Sequence, residues 1–186
     1  MIVSAVQLRR WSREEYDKMI DAGILGPDDR VELLEGEIVQ VAPQHAPHAS
    51  GVVAAGEALR SVYGAGFSVR IQLPLAATAD SEPEPDVAVV RGHWRDFTRA
   101  HPTTALLVVE VADSSHPADR RRKGRIYAHA GIAEYWIVNL IDRVVEVYRD
   151  PRSDTGYATA LVFASDRTIS PLSMPSAVVA VGDLLP

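Results

Sequence analysis

Two acids and a lysine are the residues of this chain whose types and spacing could do chemistry. Asp86 opens the run DVAVV, and Glu110 lies near the end of ALLVVEVA, two aliphatic, β-branched segments of strand character. Alternation along a strand groups Asp86 with Ala88 and Val90, and Glu110 with Leu106, Val108 and Ala112. If the two strands pair antiparallel, the start of one meets the end of the other, and the carboxylates converge at one end of a sheet. Carboxylates among apolar neighbours need a metal, a basic partner or a raised pKa to compensate for lost hydration. Lys123 is the candidate partner, because it shares a helical stripe with Asp119, Ile126, Tyr127 and Ala130 and so faces inward. Arg120, Arg121, Arg122 and Arg125 surround it, and the segment from Ala112 to Arg125 carries a local charge of +3, from five basic residues against Asp113 and Asp119. Two acids that hold an oxygen-ligated Mg²⁺, with a cation to stabilise developing charge, are the equipment of phosphodiester hydrolysis.

The elements that must position these residues follow from the pattern on either side. Ser12 and Glu15 have the spacing of a capping box, so a short helix, a lid or anchor, is predicted to start there and to stop at Gly23. From Arg30 to Ala42, apolar residues flank Glu35 and Gly36 and predict a hairpin. After the Pro and His segment PQHAPH, a first long helix is expected over Ala49 to Tyr63, then a strand over Phe67 to Leu73. A Pro-rich acidic loop leads to the two central strands. A helix from about Pro117 to Ala130 is stopped by Gly131 and followed by a hairpin around Ile141 and Asp142, a strand over Tyr157 to Phe163 and a short apolar tail. The expected fold class is α+β (α/β): a mixed central β-sheet flanked by helices.

Composition narrows the partners. The 186 residues are 47% apolar, which suits one domain over 1–186, with an N-terminal helix at about 12–22 and a core at about 30–186. The absence of cysteine excludes disulfides, thiolate metal sites and thiol nucleophiles, and any metal must sit on oxygen or imidazole. A net charge of −6 argues against coating nucleic acid by bulk electrostatics, so DNA would bind only at a local basic patch. No stretch reaches the length of a membrane span and the N-terminus MIVSAVQLRRW has no signal-peptide form, so a cytoplasmic protein is expected.

The segments VELLEGEIV, a His after the Pro-rich loop, PEPDVAVV, LLVVEVADSS, DRRRKGRIYAHAGIAEYWIV and VEVYRDP, in this order from Trp11 to Leu185, resemble the large bacterial family of putative restriction endonucleases often called Uma-two. That family belongs to the PD-(D/E)XK nuclease superfamily. The resemblance implies a restriction-endonuclease-like core and a Mg²⁺-dependent endodeoxyribonuclease, with Mn²⁺ able to substitute. By motif position it makes Asp86 the acid after Pro85 and Glu110 the acid of the second element, which bind the metal together with the main-chain carbonyl of Val111. Glu32, in the first hairpin, would be a third acid, and His48 a substrate-side residue. Where the superfamily pattern has a lysine this chain has Ala112, so Lys123 looks like its migrated replacement and would orient or activate the attacking water.

Blander readings stand beside these. Glu32, Glu35 and Glu37 could together form a charged hairpin face, and His45 and His48 could be exposed loop histidines. Asp119 and Lys123 could be a surface ion pair worth about 0.3–0.5 kcal/mol, and the arginines a solvated helix face. Ser114 and Ser115 read most simply as turn or capping residues, and Tyr127, Tyr135 and Trp136 as core aromatics. Two other functions stay open: a catalytically silent relative that acts as a binding module, or a metal-dependent hydrolase of another phosphoester. A homodimer is the expected assembly, since two-fold dimers are the commonest.

Overall fold

The structure is a computed structural model that describes residues 7–113 and 117–186, and within its third helix the side chains from residue 121 onward. Ser114 and Ser115, read as turn or capping residues, lie outside the described residues, as do the side chains of Asp119 and Arg120.

Helix α1 (Arg13–Asp21) begins at a complete Ser12/Glu15 capping box, and Gly23 follows it at φ +69°. Strands β1 (Val31–Leu34) and β2 (Glu37–Gln40) form the predicted hairpin around Glu35 and Gly36, both at positive φ, the conformation that suits the twist of a two-residue hairpin loop. Helix α2 (Ala46–Val62) starts three residues earlier than expected. Pro47 is tolerated because a first-turn residue has no intrahelical N–H partner to lose. His48 is therefore a helical residue and not a loop residue.

The central sheet has six strands in the order β3 (Phe67–Ile71), β4 (Val87–Arg91), β5 (Leu107–Ala112), β6 (Glu134–Asn139), β7 (Val144–Arg152) and β8 (Gly156–Ala164). Only β5 and β6 are parallel. Parallel neighbours need a crossover, and α3 (Pro117–His129) supplies it. The segment between β4 and β5 holds a 3₁₀ turn, Trp94–Phe97, which the sequence pattern did not announce.

The two sheet faces separate by alternation. Val87, Val89, Leu107, Val109, Trp136 and Val138 point to α2 and its buried stripe Val52, Ala55 and Leu59. Complete burial of Leu59 alone contributes about 1.5–3 kcal/mol. The tail supports this face as well: β9 (Thr168–Ile169) pairs with β10 (Val179–Ala180), and Val181 and Leu184 are buried in the same cluster. On the opposite face Ala88, Val90, Val108, Tyr135 and Ile137 pack with Tyr127 of α3 and with Ile132. The β1–β2 hairpin lies against α3 and leaves a cleft at the end of β5. Among the described residues no helix is long and apolar enough to cross a membrane.

Candidate active site

The antiparallel register Val87↔Val109 makes Asp86 and Glu110 the next positions outward, at the same end of neighbouring strands. Asp86 lies just before the start of β4 and is held by three donors. Its Oδ2 accepts the Val111 main-chain N–H at 2.8 Å and lies 3.2 Å from His48 Nε2, and its Oδ1 accepts Gln72 Nε2 at 3.2 Å. Burial works against the charge, but the His48 contact and the Val111 N–H outweigh it, and the carboxyl stays below its usual range. In return the hydrogen bond with Asp86 raises His48 above the ordinary imidazole value. His48 Nδ1 is buried with no hydrogen-bond partner among the described residues.

Glu110 has the opposite electrostatics. Its Oε1 accepts the Tyr127 hydroxyl at 2.6 Å and pairs with Lys123 Nζ at 3.3 Å. Burial nevertheless raises its pKa to about 7, since Lys123 offsets only part of the lost hydration and the negative charges of Asp86 and Glu32 oppose a third. Lys123 Nζ also donates to Glu32 Oε1 at 3.1 Å. For Lys123 burial disfavours the charge, yet Glu110, Glu32 and Asp86 more than compensate and hold the ammonium well above the usual lysine value. Burial, then the charge of Glu110, raises Tyr127 far above a free phenol, so its hydroxyl stays a donor.

Thus Asp86, Glu110, Glu32, Lys123, Val111 and His48 all line one cleft of about 850 Å³. Arg121, Arg122 and Arg125 go elsewhere. Arg122 donates to the Leu34 carbonyl at 2.6 Å, to Glu37 at 2.7 Å and to Glu35 at 3.1 Å, so it ties α3 to the hairpin. Arg125 lies 3.5 Å from Glu35, and Arg121 and Arg125 line a second cavity beside the cleft. His45 caps α2 by position without a side-chain hydrogen bond and lines the cleft.

Two contributors escaped the sequence reading. Gln72 has φ +49°, a conformation uncommon outside glycine, and its N–H meets the carbonyls of Pro85 and Asp86 at 3.2 Å each. Its identity gives no sign of this. Gly51, three residues after His48 on α2, carries a detectable signal: a Cβ there would stand 2.9 Å from Val111 Cγ1. The missing side chain brings α2 against β5, and that approach delivers His48 to Asp86.

The donor set, carboxylate oxygens without thiolate, is of the kind a hard divalent cation takes. Glu110 Oε2 receives none of the described hydrogen bonds, and Asp86 Oδ1 receives one, so each retains lone pairs. Among the described residues no three His, Cys, Asp or Glu side chains already stand together as a metal-holding group. In donor chemistry the residues fit such an ion.

A family model described as Uma2, "Putative restriction endonuclease", matches residues 13–182. A solved structure described as a putative nuclease belonging to DUF820, from Anabaena variabilis ATCC 29413, superposes with a TM-score of 0.73 at 18% identity. The match covers 93% of this chain and 96% of that one and shows a shared fold. No curated protein matches the chain.

Proposed function

From the premise that the chain belongs to the Uma2 family of putative restriction endonucleases, we propose that it is a Mg²⁺-dependent endonuclease that hydrolyses DNA phosphodiester bonds in the cleft between β5, α3 and the β1–β2 hairpin. The observation that carries this reading is Lys123: the ammonium turns into the cleft, 3.1 Å from Glu32 and 3.3 Å from Glu110, beside the acid pair. A lysine that merely solvated the helix surface would point away.

Asp86, Glu110, the main-chain carbonyl of Val111 and Glu32 would hold the cation, with Mn²⁺ able to substitute. When bound, the ion would polarise the phosphate and lower the pKa of a water molecule. The chain's own groups have separable tasks. Val111 N–H, His48 and Gln72 lock the Asp86 carboxylate in one orientation. Tyr127 and Lys123 do the same for Glu110 through Oε1, and Oε2 receives none of the described hydrogen bonds. Lys123, held protonated, has no lone pair with which to take a proton, so its task is to orient the attacking water and to stabilise charge that develops on the phosphate.

Protein donors already fill both lone-pair sites of Asp86 Oδ2, and this favours a second reading, a non-catalytic binding module on the same fold. The two separate cleanly. Purified protein is incubated with plasmid and linear DNA, RNA and nucleotides, with Mg²⁺, Mn²⁺ or chelator, beside Asp86→Ala. DNA cleavage that needs the metal and is lost in the variant supports the nuclease. Cleavage that survives Asp86→Ala overturns the assigned site, and no heat of Mn²⁺ binding by calorimetry supports the binding module.

A further inference from the structure

Beside the cleft, between α3 and strands β6 to β8, lies the second cavity, of about 490 Å³. The two hollows share Tyr135 and Ile137 in their walls, and consecutive helix residues serve them: Lys123 lines the cleft, Gly124 the second cavity. Gly124 leaves the helix close to the Tyr135 ring, where a Cβ would stand at 3.4 Å. Three tyrosines make an aromatic wall. Tyr135 stacks with Tyr148 at 5.7 Å and with Tyr157 at 5.9 Å between centroids, each pair at 28°. The hydroxyl of Tyr157 donates to the Ile132 carbonyl, and that of Tyr148 to Glu146, and both residues line the cavity. Arg121 and Arg125, both exposed, also line the cavity; Arg125 keeps its guanidinium 3.5 Å from Glu35, and Glu146 is an acid in the same lining.

Aromatic rings and arginine side chains lining one cavity match a nucleotide, whose base stacks and whose phosphate takes charged donors. The volume is in the range of small-ligand sites, roughly 300–1,000 Å³, and too small for a duplex. A paired base inside a duplex has both faces covered by its neighbours and cannot reach a wall of rings. We propose that this cavity is a subsite for one unpaired nucleotide of the substrate strand, its base against Tyr148 and Tyr157 and its phosphate between Arg121 and Arg125. The substrate of the adjoining cleft is then DNA with a single-stranded segment next to the cut. The substrate assignment rests on the nuclease reading; the binding subsite itself does not.

The test uses a duplex with a short unpaired tail that carries 2-aminopurine, compared with a blunt duplex of the same sequence, in Ca²⁺ to suppress turnover. The wild type should quench the tail fluorescence and bind the tailed duplex about tenfold or more tighter than the blunt one, the scale of one stacked base. Arg121→Glu, an exposed change that leaves the aromatic wall intact, should abolish that preference, and Tyr148→Leu should remove the quenching. Arg60→Glu, an equal charge change on α2, should alter neither. Equal affinity for tailed and blunt duplexes with an unquenched tail overturns the subsite, whatever cleavage is seen in Mg²⁺. Quenching without cleavage of any nucleic acid in Mg²⁺ supports the subsite and counts only against the nuclease reading.

Discussion

Glu110→Gln should make the protein more stable and inactive, and the gain should depend on pH. The carboxyl has its pKa raised from 4.5 to about 7 by burial. A raised acid binds protons more tightly folded than unfolded, so the native state loses stability as pH climbs from about 4.5 to 7, and the penalty is complete above that. A shift of this size corresponds to roughly 3 kcal/mol at 1.36 kcal/mol per unit. Water reaches the side chain from the cleft, where it is 13% exposed, so about 1–3 kcal/mol is expected. Gln resembles the protonated acid in shape, and its carbonyl can keep the Tyr127 and Lys123 donors that now reach Oε1. Urea unfolding of wild type and variant at pH 5 and pH 8, without divalent metal, should give a variant more stable by less than about 1 kcal/mol at pH 5 and by a clearly larger margin at pH 8. Mg²⁺ at pH 8 should raise the wild-type midpoint and leave the variant's unchanged, because a ligand stabilises only the state that binds it. A variant less stable than wild type at pH 8, or a difference constant across pH, would refute the claim that the site holds a strained carboxylate.

Three further outcomes follow from the same contacts. Asp86→Ala leaves the Val111 N–H without its acceptor, so beyond abolishing cleavage it should cost about 1–3 kcal/mol in urea unfolding. Asp86→Asn, which can still accept that bond, should cost less. Gly51→Ala places a methyl 2.9 Å from Val111 Cγ1, an overpacking that costs about 1–3 kcal/mol; by pushing α2 outward it should also return the His48 pKa toward the ordinary imidazole value in an NMR titration. Arg122→Ala removes three hydrogen bonds between α3 and the hairpin. Since Glu35 and Glu37 are about 40% exposed, a loss of about 1–3 kcal/mol is expected, or about 2–4 °C in melting temperature for each kcal/mol at this chain length.

What could be read in the sequence, and what could not, divides by the range of the interaction. The Ser12/Glu15 cap, the Glu35–Gly36 turn and the run of β4 and β5 depend on neighbours in the chain, and each formed as its pattern required. The convergence of Asp86 and Glu110 followed from one further assumption, antiparallel pairing, which the register bears out. Lys123 was legible as an inward-facing helical position, but its contact with Glu32 joins residues 91 apart and depends on where the hairpin docks.

Arg122 illustrates the converse. It stands next to Lys123 in a run of basic residues, where composition assigns every member the same solvated or DNA-facing surface. In the fold, one helical position turns it onto the hairpin, and the hairpin's charged face becomes its partner. The three acids Glu32, Glu35 and Glu37 therefore divide: the period-two strand puts Glu32 toward Lys123, while Glu35 and Glu37, at the turn, receive Arg122. The hairpin thus does two jobs through one helix: Arg122 fastens it to α3, and that fastening keeps Glu32 within reach of Lys123. Loss of Arg122 should accordingly weaken the site as well as the fold, whereas loss of Arg121, which lines the second cavity and not the cleft, should leave the geometry of Glu32, Lys123 and Glu110 undisturbed.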